Sequence, residues 1–93
     1  MSLTMKDLEQ CFKEAKYTDS LYVGVKIQAP GCPEPEVIIN SSENFDFKLK
    51  YYQRAYNDDL TLKSFNQIRI TDCCFGDSYD QIECTFEEVE GGL

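Results

Sequence analysis

The chain has 93 residues, a formal net charge of −8 and 42% apolar residues. This length fits one domain, and the apolar fraction is enough for a modest core. Every charged residue after Arg69 is acidic. Direct binding of DNA or RNA is therefore not expected, because it depends on Lys and Arg neutralising phosphates.

Five cysteines, at positions 11, 32, 73, 74 and 84, accompany an N-terminus without a secretory signal. An odd count and no signal disfavour a disulfide framework, so we expect reduced thiols and a cytoplasmic protein. No apolar run approaches the roughly 18 residues of a membrane helix, so no membrane association is expected. Residues 1–93 are expected to form a single domain, with 1–4 and 91–93 flexible or vector-derived.

The first half of the chain predicts one helix and two strands. Thr4 and Asp7 match a helix start, and the apolar residues that follow at helical spacing predict a helix over Met5–Lys16. Strict alternation predicts a half-buried strand over Leu21–Ile27. The β-branched run after the prolines predicts a second strand over Val37–Asn40.

The second half predicts a helix, a connection and a third strand. Residues 45, 49, 52 and 56 form an apolar stripe, which predicts an amphipathic helix over Glu43–Tyr56. An irregular connection over Leu60–Phe65 is expected to pack Leu60, Leu62 and Phe65 against the core. The third apolar run covers Ile68–Phe75, and its pattern slips by one residue near Asp72, which indicates a register change.

A turn at Gly76-Asp77-Ser78 precedes a final predicted helix. Asp77 with Asp80, or Ser78 with Gln81, can cap this helix. Its apolar stripe consists of Tyr79, Ile82, Phe86 and Val89, and Gly91-Gly92 is expected to end it.

The order α-β-β-α-β-α predicts an α+β fold with two layers. We expect a three-stranded, mainly antiparallel sheet of order 2-1-3 and about three helices, packed mainly on one face. The alternative places the third strand beside the second through a right-handed parallel crossover.

The composition excludes several chemistries. The chain lacks histidine, so Ser-His and Cys-His nucleophilic mechanisms are excluded. No phosphate-binding loop or zinc-type cysteine spacing occurs, and no cofactor or metal is predicted. Cys73 and Cys74 should point to opposite faces of a strand. The adjacent acids Asp58 and Asp59 are interpreted as solvated residues that end a helix.

The linker between the first two strands, residues 29–36, contains all three prolines. Prolines stiffen the backbone, and a preorganised loop loses less entropy on binding. The candidate partner-binding residues in this linker are Pro30, Cys32, Pro33, Glu34 and Pro35. The alternative is a rigid connection in which Cys32 is incidental.

Phe47 and Tyr51 lie off the main apolar stripe of the second helix and are neighbours on its surface. They either widen the buried face or form an exposed aromatic patch beside Lys48, Lys50 and Arg54. Exposed patches of this kind mark protein interfaces, so both aromatic residues are candidate partner-binding residues.

Several segments together resemble small uncharacterised proteins of Gram-positive bacteria that are often encoded in phage-related or mobile regions. These segments are Tyr22–Ile27, Pro30–Asn40, Glu43–Asp46, Tyr51-Tyr52, Tyr56–Leu60 and Gly76–Ser78. The resemblance covers most of the chain. That group has no activity to transfer, so the resemblance implies an accessory binding protein in a bacterial cytoplasm and assigns no site residue.

The sequence favours a non-enzymatic accessory or adaptor protein that binds another protein, or itself, through the linker or the aromatic residues of the second helix. One alternative is an acidic mimic of nucleic acid that inhibits a nucleic-acid-binding protein through its C-terminal carboxylates. The other is an enzyme that uses Cys32 or an acidic pair, which would need a concave pocket beside those residues.

Overall fold

The computed structural model describes residues 3–90, with side chains described for residues 3–86. Three helices and four antiparallel strands form an α+β fold with sheet order β2-β1-β4-β3. The elements are α1 (Met5–Tyr17), β1 (Tyr22–Gln28), β2 (Glu36–Ser41), α2 (Phe45–Ala55), β3 (Thr61–Leu62), β4 (Phe65–Gly76) and α3 (Tyr79–Glu90), with a 3₁₀ turn at Ser42–Asn44 before α2. The predicted class and the antiparallel sheet are confirmed.

The sheet has four strands where the sequence predicted three. The extra strand, β3, lies within the connection that was predicted to be irregular, and it forms a hairpin with the start of β4. Two residues are too few to show an alternating pattern. Leu60 is fully buried and Leu62 packs against the core, but Phe65 is 46% exposed, so its predicted burial was wrong.

The long strand β4 pairs with β1, which places β1 in the middle of the sheet as predicted. Lys26 pairs with Asp72 and Ile27 pairs with Ile70, so Thr71 is skipped. This β-bulge lets Ile70 and Cys73 share one face of β4, and it confirms the register change predicted near Asp72.

One face of the sheet is covered by α1 and α2. Phe12 of α1 meets Phe45 of α2 edge to face, with ring centroids 5.5 Å apart. Both rings pack against buried residues of β1, Val23 and Val25. Aromatic and branched side chains thus form the main hydrophobic core.

The opposite face is covered by α3, so the predicted two-layer arrangement was wrong, although two of the three described helices share one face. Gly24 of β1 lies under α3, where an added Cβ would overlap Ile82 and crowd Phe86. Ile82 and Phe86 are buried, outside the main core cluster. The molecule therefore has three layers, and a glycine allows the close approach of the third helix.

The helix starts follow the predicted capping residues. The Asp7 carboxylate accepts the backbone N–H of Thr4 at 2.8 Å. The Ser78 hydroxyl accepts the N–H of Gln81 at 3.1 Å, which selects the Ser78–Gln81 alternative for α3. Leu3 packs against the core although residues 1–4 were expected to be flexible. The predicted role of the Val89 side chain and the stop at Gly91-Gly92 lie outside the described part of the chain.

No helix within residues 3–90 combines the length and the apolar character needed to cross a membrane.

Candidate partner-binding surface

The proline linker connects β1 and β2 as an exposed hairpin loop. Gly31 has a positive φ of 78°, a conformation that favours glycine. The Gln28 side chain donates a hydrogen bond to the carbonyl of Cys32 at 2.8 Å, which ties the loop to the end of β1. Pro30, Cys32, Pro33 and Glu34 are exposed and Pro35 is half-buried. The linker can thus contact a partner, and its role as a binding site stays a prediction.

Phe47 and Tyr51 lie on the outer surface of α2. Phe47 is 71% exposed and Tyr51 is 40% exposed, so they do not widen the buried face. The Lys48 ammonium lies 5.2 Å from the centre of the Tyr51 ring, a cation–π distance. We call Phe47, Lys48 and Tyr51 the α2 flank.

The contacts of α2 define which way this flank points. Lys16 of α1 forms an ion pair with Asp46, and Gln53 donates a hydrogen bond to Glu9 of α1 at 2.7 Å. These two residues mark the side of α2 that faces α1. At 100° per residue, the Tyr51 side chain lies roughly 150° around the helix axis from the mean direction of Asp46 and Gln53. The α2 flank therefore faces away from α1.

α2 starts beside β2 and ends beside β3. The Tyr52 hydroxyl lies beside the side chain of Asn40 of β2, and burial raises the pKa of Tyr52 to about 12. Directly after the helix, the backbone of Tyr56 forms a β-bridge with Leu62 of β3. Since β2 and β3 are the two edges of the sheet, α2 crosses the sheet from one edge toward the other.

The linker and the α2 flank belong to different segments of the fold. The linker joins β1 to β2 and leads into β2 at Glu36. The flank lies on the first turns of α2, after the 3₁₀ turn that follows β2. The structure thus presents the two predicted surfaces on separate elements.

A feature that the sequence interpretation missed lies at the free edge of β2. Ser42 donates its N–H to the carbonyl of Leu21 at 2.8 Å, so Leu21 and Ser42 form a hydrogen-bonded pair at the end of the β1–β2 ladder. Such pairs alternate along an antiparallel ladder. It follows that Asn40 and Ile38 turn their backbone groups toward β1.

The alternate residues of the strand, Val37, Ile39 and Ser41, turn their N–H and C=O groups outward. β1 is the strand neighbour of β2 within residues 3–90. The predicted order 2-1-3 already placed the second strand at an edge. What the sequence did not reveal is which residues of that edge turn their backbone groups outward.

A second group of chemically notable residues lines a cavity of about 440 Å³ between α1 and β4. Cys11, which is buried, and the half-buried Cys73 line this cavity together with Asp72. A hydrogen bond with Cys11 and burial raise the pKa of the Cys73 thiol far above its usual range. Cys74 points to the other face, as predicted, and burial raises its pKa to about 11. Thiols held in the neutral form are weak nucleophiles.

The acidic pair lies beside a separate hollow of about 380 Å³ lined by Thr4, Met5 and Lys6. The Asp59 carboxylate accepts the N–H of Thr61 at 3.0 Å and its hydroxyl at 2.5 Å, and these bonds lower the pKa of Asp59. Asp59 thus stabilises the turn before β3. Residues 3–86 contain no cluster of three or more His, Cys, Asp or Glu side chains that could hold a metal ion.

Among the C-terminal carboxylates, those of Asp77, Asp80 and Glu83 are exposed. Asp77 accepts the N–H of Leu21 at 3.3 Å. The side chains of Glu87, Glu88 and Glu90 lie outside the described ones, so the spaced acidic array stays a prediction.

Comparison with known proteins gave no family model, no curated protein and no solved structure that matches the chain.

Proposed function

We propose that the protein is a non-enzymatic accessory protein of a bacterial cytoplasm that works by binding another protein through the α2 flank. The observation that carries this proposal is the exposure of Phe47 and Tyr51, one turn apart on the outer side of α2. Aromatic side chains dominate the binding energy of many interfaces. The five free cysteines are in keeping with a reducing compartment.

The α2 flank is partly preorganised for contact. Tyr51 packs against the buried ring of Tyr52 with centroids 5.3 Å apart, and Lys48 lies over both rings. A side chain that is already held in place loses less entropy on binding.

The charge of α2 favours an acidic partner. The helix carries Lys48, Lys50 and Arg54, whereas Asp46 is its one carboxylate and pairs with Lys16. This basic surface stands out on a chain with a net charge of −8. Complementary charge speeds association and excludes wrong partners.

The test is affinity capture from a lysate of the source organism with three baits. The wild-type chain and the control Tyr17→Ser, which alters another exposed ring (90% exposed), should retain the same partner. The double variant Phe47→Ser, Tyr51→Ser should lose it. Equal retention by all three folded baits would refute the proposal.

A second candidate function is the acidic mimic that occupies a nucleic-acid-binding groove. It is favoured by α3, whose five charged residues are all carboxylates. This function predicts partner binding that weakens steeply with salt and is unchanged by Phe47→Ser.

A further inference from the structure

The outer surface of α2 carries a stripe that combines aromatic rings with cations. Its members follow one another at helical spacing and are all exposed: Phe47, Lys50, Tyr51 and Arg54. They lie on the side of the helix that points away from the buried Tyr52. Lys50 and Arg54 form no ion pair with any described side chain. We call these four residues the basic stripe.

The start of α3 carries a stripe of opposite charge. Tyr79, Asp80 and Glu83 are exposed, and they are surface neighbours because three or four residues separate Glu83 from the other two. The Tyr79 ring is held edge to face against Tyr22, with ring centroids 5.0 Å apart. Asp80 and Glu83 form no ion pair with any described side chain. We call Tyr79, Asp80 and Glu83 the acidic stripe.

The two stripes belong to opposite faces of the sheet. α2 and α1 cover the face of β1 that carries Val23 and Val25, whereas α3 covers Gly24. Successive residues of a strand point to opposite faces. The two stripes of one chain therefore lie on different sides of the molecule, and each is exposed to other molecules.

We propose that the basic stripe of one copy binds the acidic stripe of a second copy, so that copies of this chain stack head to tail. This inference rests on the proposed function and names the acidic partner of the α2 flank, which shares Phe47 and Tyr51 with the basic stripe. The two cations of one stripe meet the two carboxylates of the other, and the rings of both stripes supply apolar contact. Complementary charge selects which two surfaces meet.

The positions of the stripes favour an open stack over a closed dimer. A two-fold dimer would need both stripes of each copy to face the same neighbour, and their location on opposite faces prevents this. Contacts between two different surfaces leave one free stripe at each end, so further copies can add. The average size of the stack should therefore grow with concentration.

The net charge of −8 is compatible with stacking at moderate salt. The molecule is 21 Å across in its thinnest dimension, whereas the Debye length is about 8 Å at 0.15 M salt. Repulsion between whole molecules is thus largely screened, while charges in direct contact are screened less. Exposed ion pairs are individually weak, so stacking requires a high protein concentration.

Sedimentation equilibrium of the wild-type chain tests whether stacks form. At about 0.15 M salt the average mass should rise with concentration, and at about 1 mM protein it should exceed twice the 10.7 kDa of one chain. At about 1 M salt, where the Debye length is about 3 Å, the average mass should fall toward that of one chain.

Variants that neutralise one stripe at a time identify the surfaces that meet. The basic-stripe variant carries Lys50→Gln and Arg54→Gln, and the acidic-stripe variant carries Asp80→Asn and Glu83→Gln. Each should sediment as a single chain at the concentration at which the wild type stacks. All four positions are exposed, so thermal unfolding of both variants should stay close to that of the wild type.

The decisive step mixes the two variants in equal amounts. Each variant then supplies the stripe that the other lacks, so one native contact forms and no second one follows. The average mass should approach twice 10.7 kDa and not exceed it.

A matched control tests whether net charge alone explains the result. Lys13→Gln with Lys63→Gln changes the net charge as the basic-stripe variant does, at exposed positions outside both stripes. This control should stack as the wild type does.

Three results would overturn the inference. Stacking that survives in either neutralised variant would place the contact on other surfaces. A wild-type mass that stops at two chains would show a closed dimer. A wild-type chain that stays monomeric would show that no second copy binds, and capture of a lysate partner that depends on Phe47 and Tyr51 would then leave the proposed function standing. A monomeric chain with equal capture by all three baits would contradict both.

Discussion

The two edges of the sheet are built in different ways. β3 has two residues, and its connection is fixed to the interior by the fully buried Leu60. β2 has six residues, with half-buried branched side chains and no charge from Val37 onward. Short strands resist unwanted pairing, whereas a long neutral edge invites it. The difference leaves β2 as the longer free edge of the described sheet.

The largest expected effect tests how firmly the β3 edge is held. Leu60→Ala should lower the free energy of unfolding by about 2–5 kcal/mol, because a fully buried side chain leaves a cavity. The control Phe65→Ala, at a half-exposed position of the same hairpin, should change it by less than about 1 kcal/mol. Urea denaturation measures both, and equal losses would show that Leu60 is not what anchors this edge.

The next effect tests the burial of Tyr52 of α2 beside Asn40 of β2. Burial raises the pKa of Tyr52 to about 12 from an ordinary value of 10.0. Below pH 10 the ring is neutral in both states, so its contribution to stability is fully present. Between pH 10 and 12 the unfolded chain loses the proton first, and stability falls as the pH rises.

Tyr52→Phe should remove this loss, which amounts to at most about 2.7 kcal/mol near pH 12. Near pH 7 the substitution should change stability by no more than about 1 kcal/mol, since the ring stays buried and only the hydroxyl beside Asn40 is removed. Unfolding free energies of the two proteins at pH 8 and pH 11.5 provide the measurement. Parallel curves would contradict the burial of Tyr52 above β2.

A smaller effect concerns the helix on the opposite face. Gly24 pairs with Ile39 of β2 and lies under Ile82 of α3. Gly24→Ala should cost about 1–3 kcal/mol through overpacking. The cost should shrink in an Ile82→Ala background, because the clashing methyl group is gone. Thermal unfolding of the single and double variants measures this coupling. An absence of coupling between the two substitutions would show that α3 does not pack on Gly24.

Much of this comparison could be predicted from the sequence. Periodicity predicted the helical stripe of α1 and the register change near Asp72, and the structure contains both. The order of the predicted elements placed β1 in the middle of an antiparallel sheet, and this placement is confirmed. β3 could not be predicted, because two residues carry no period. The side of the sheet on which α3 packs depends on the contact of Gly24 with Ile82, which are far apart in sequence.

The candidate site was predictable only in its separate parts. Phe47 and Tyr51 were singled out because they leave the apolar stripe of α2, but their exposure depends on where α1 packs.

Amide hydrogen exchange of the free protein tests the comparison of the two edges most directly. Val37, Ile39 and Ser41 should exchange rapidly while Ile38 and Asn40 exchange slowly, because only the latter two amides face β1. Uniform protection of all five amides would contradict the claim that β2 is a free edge of the sheet.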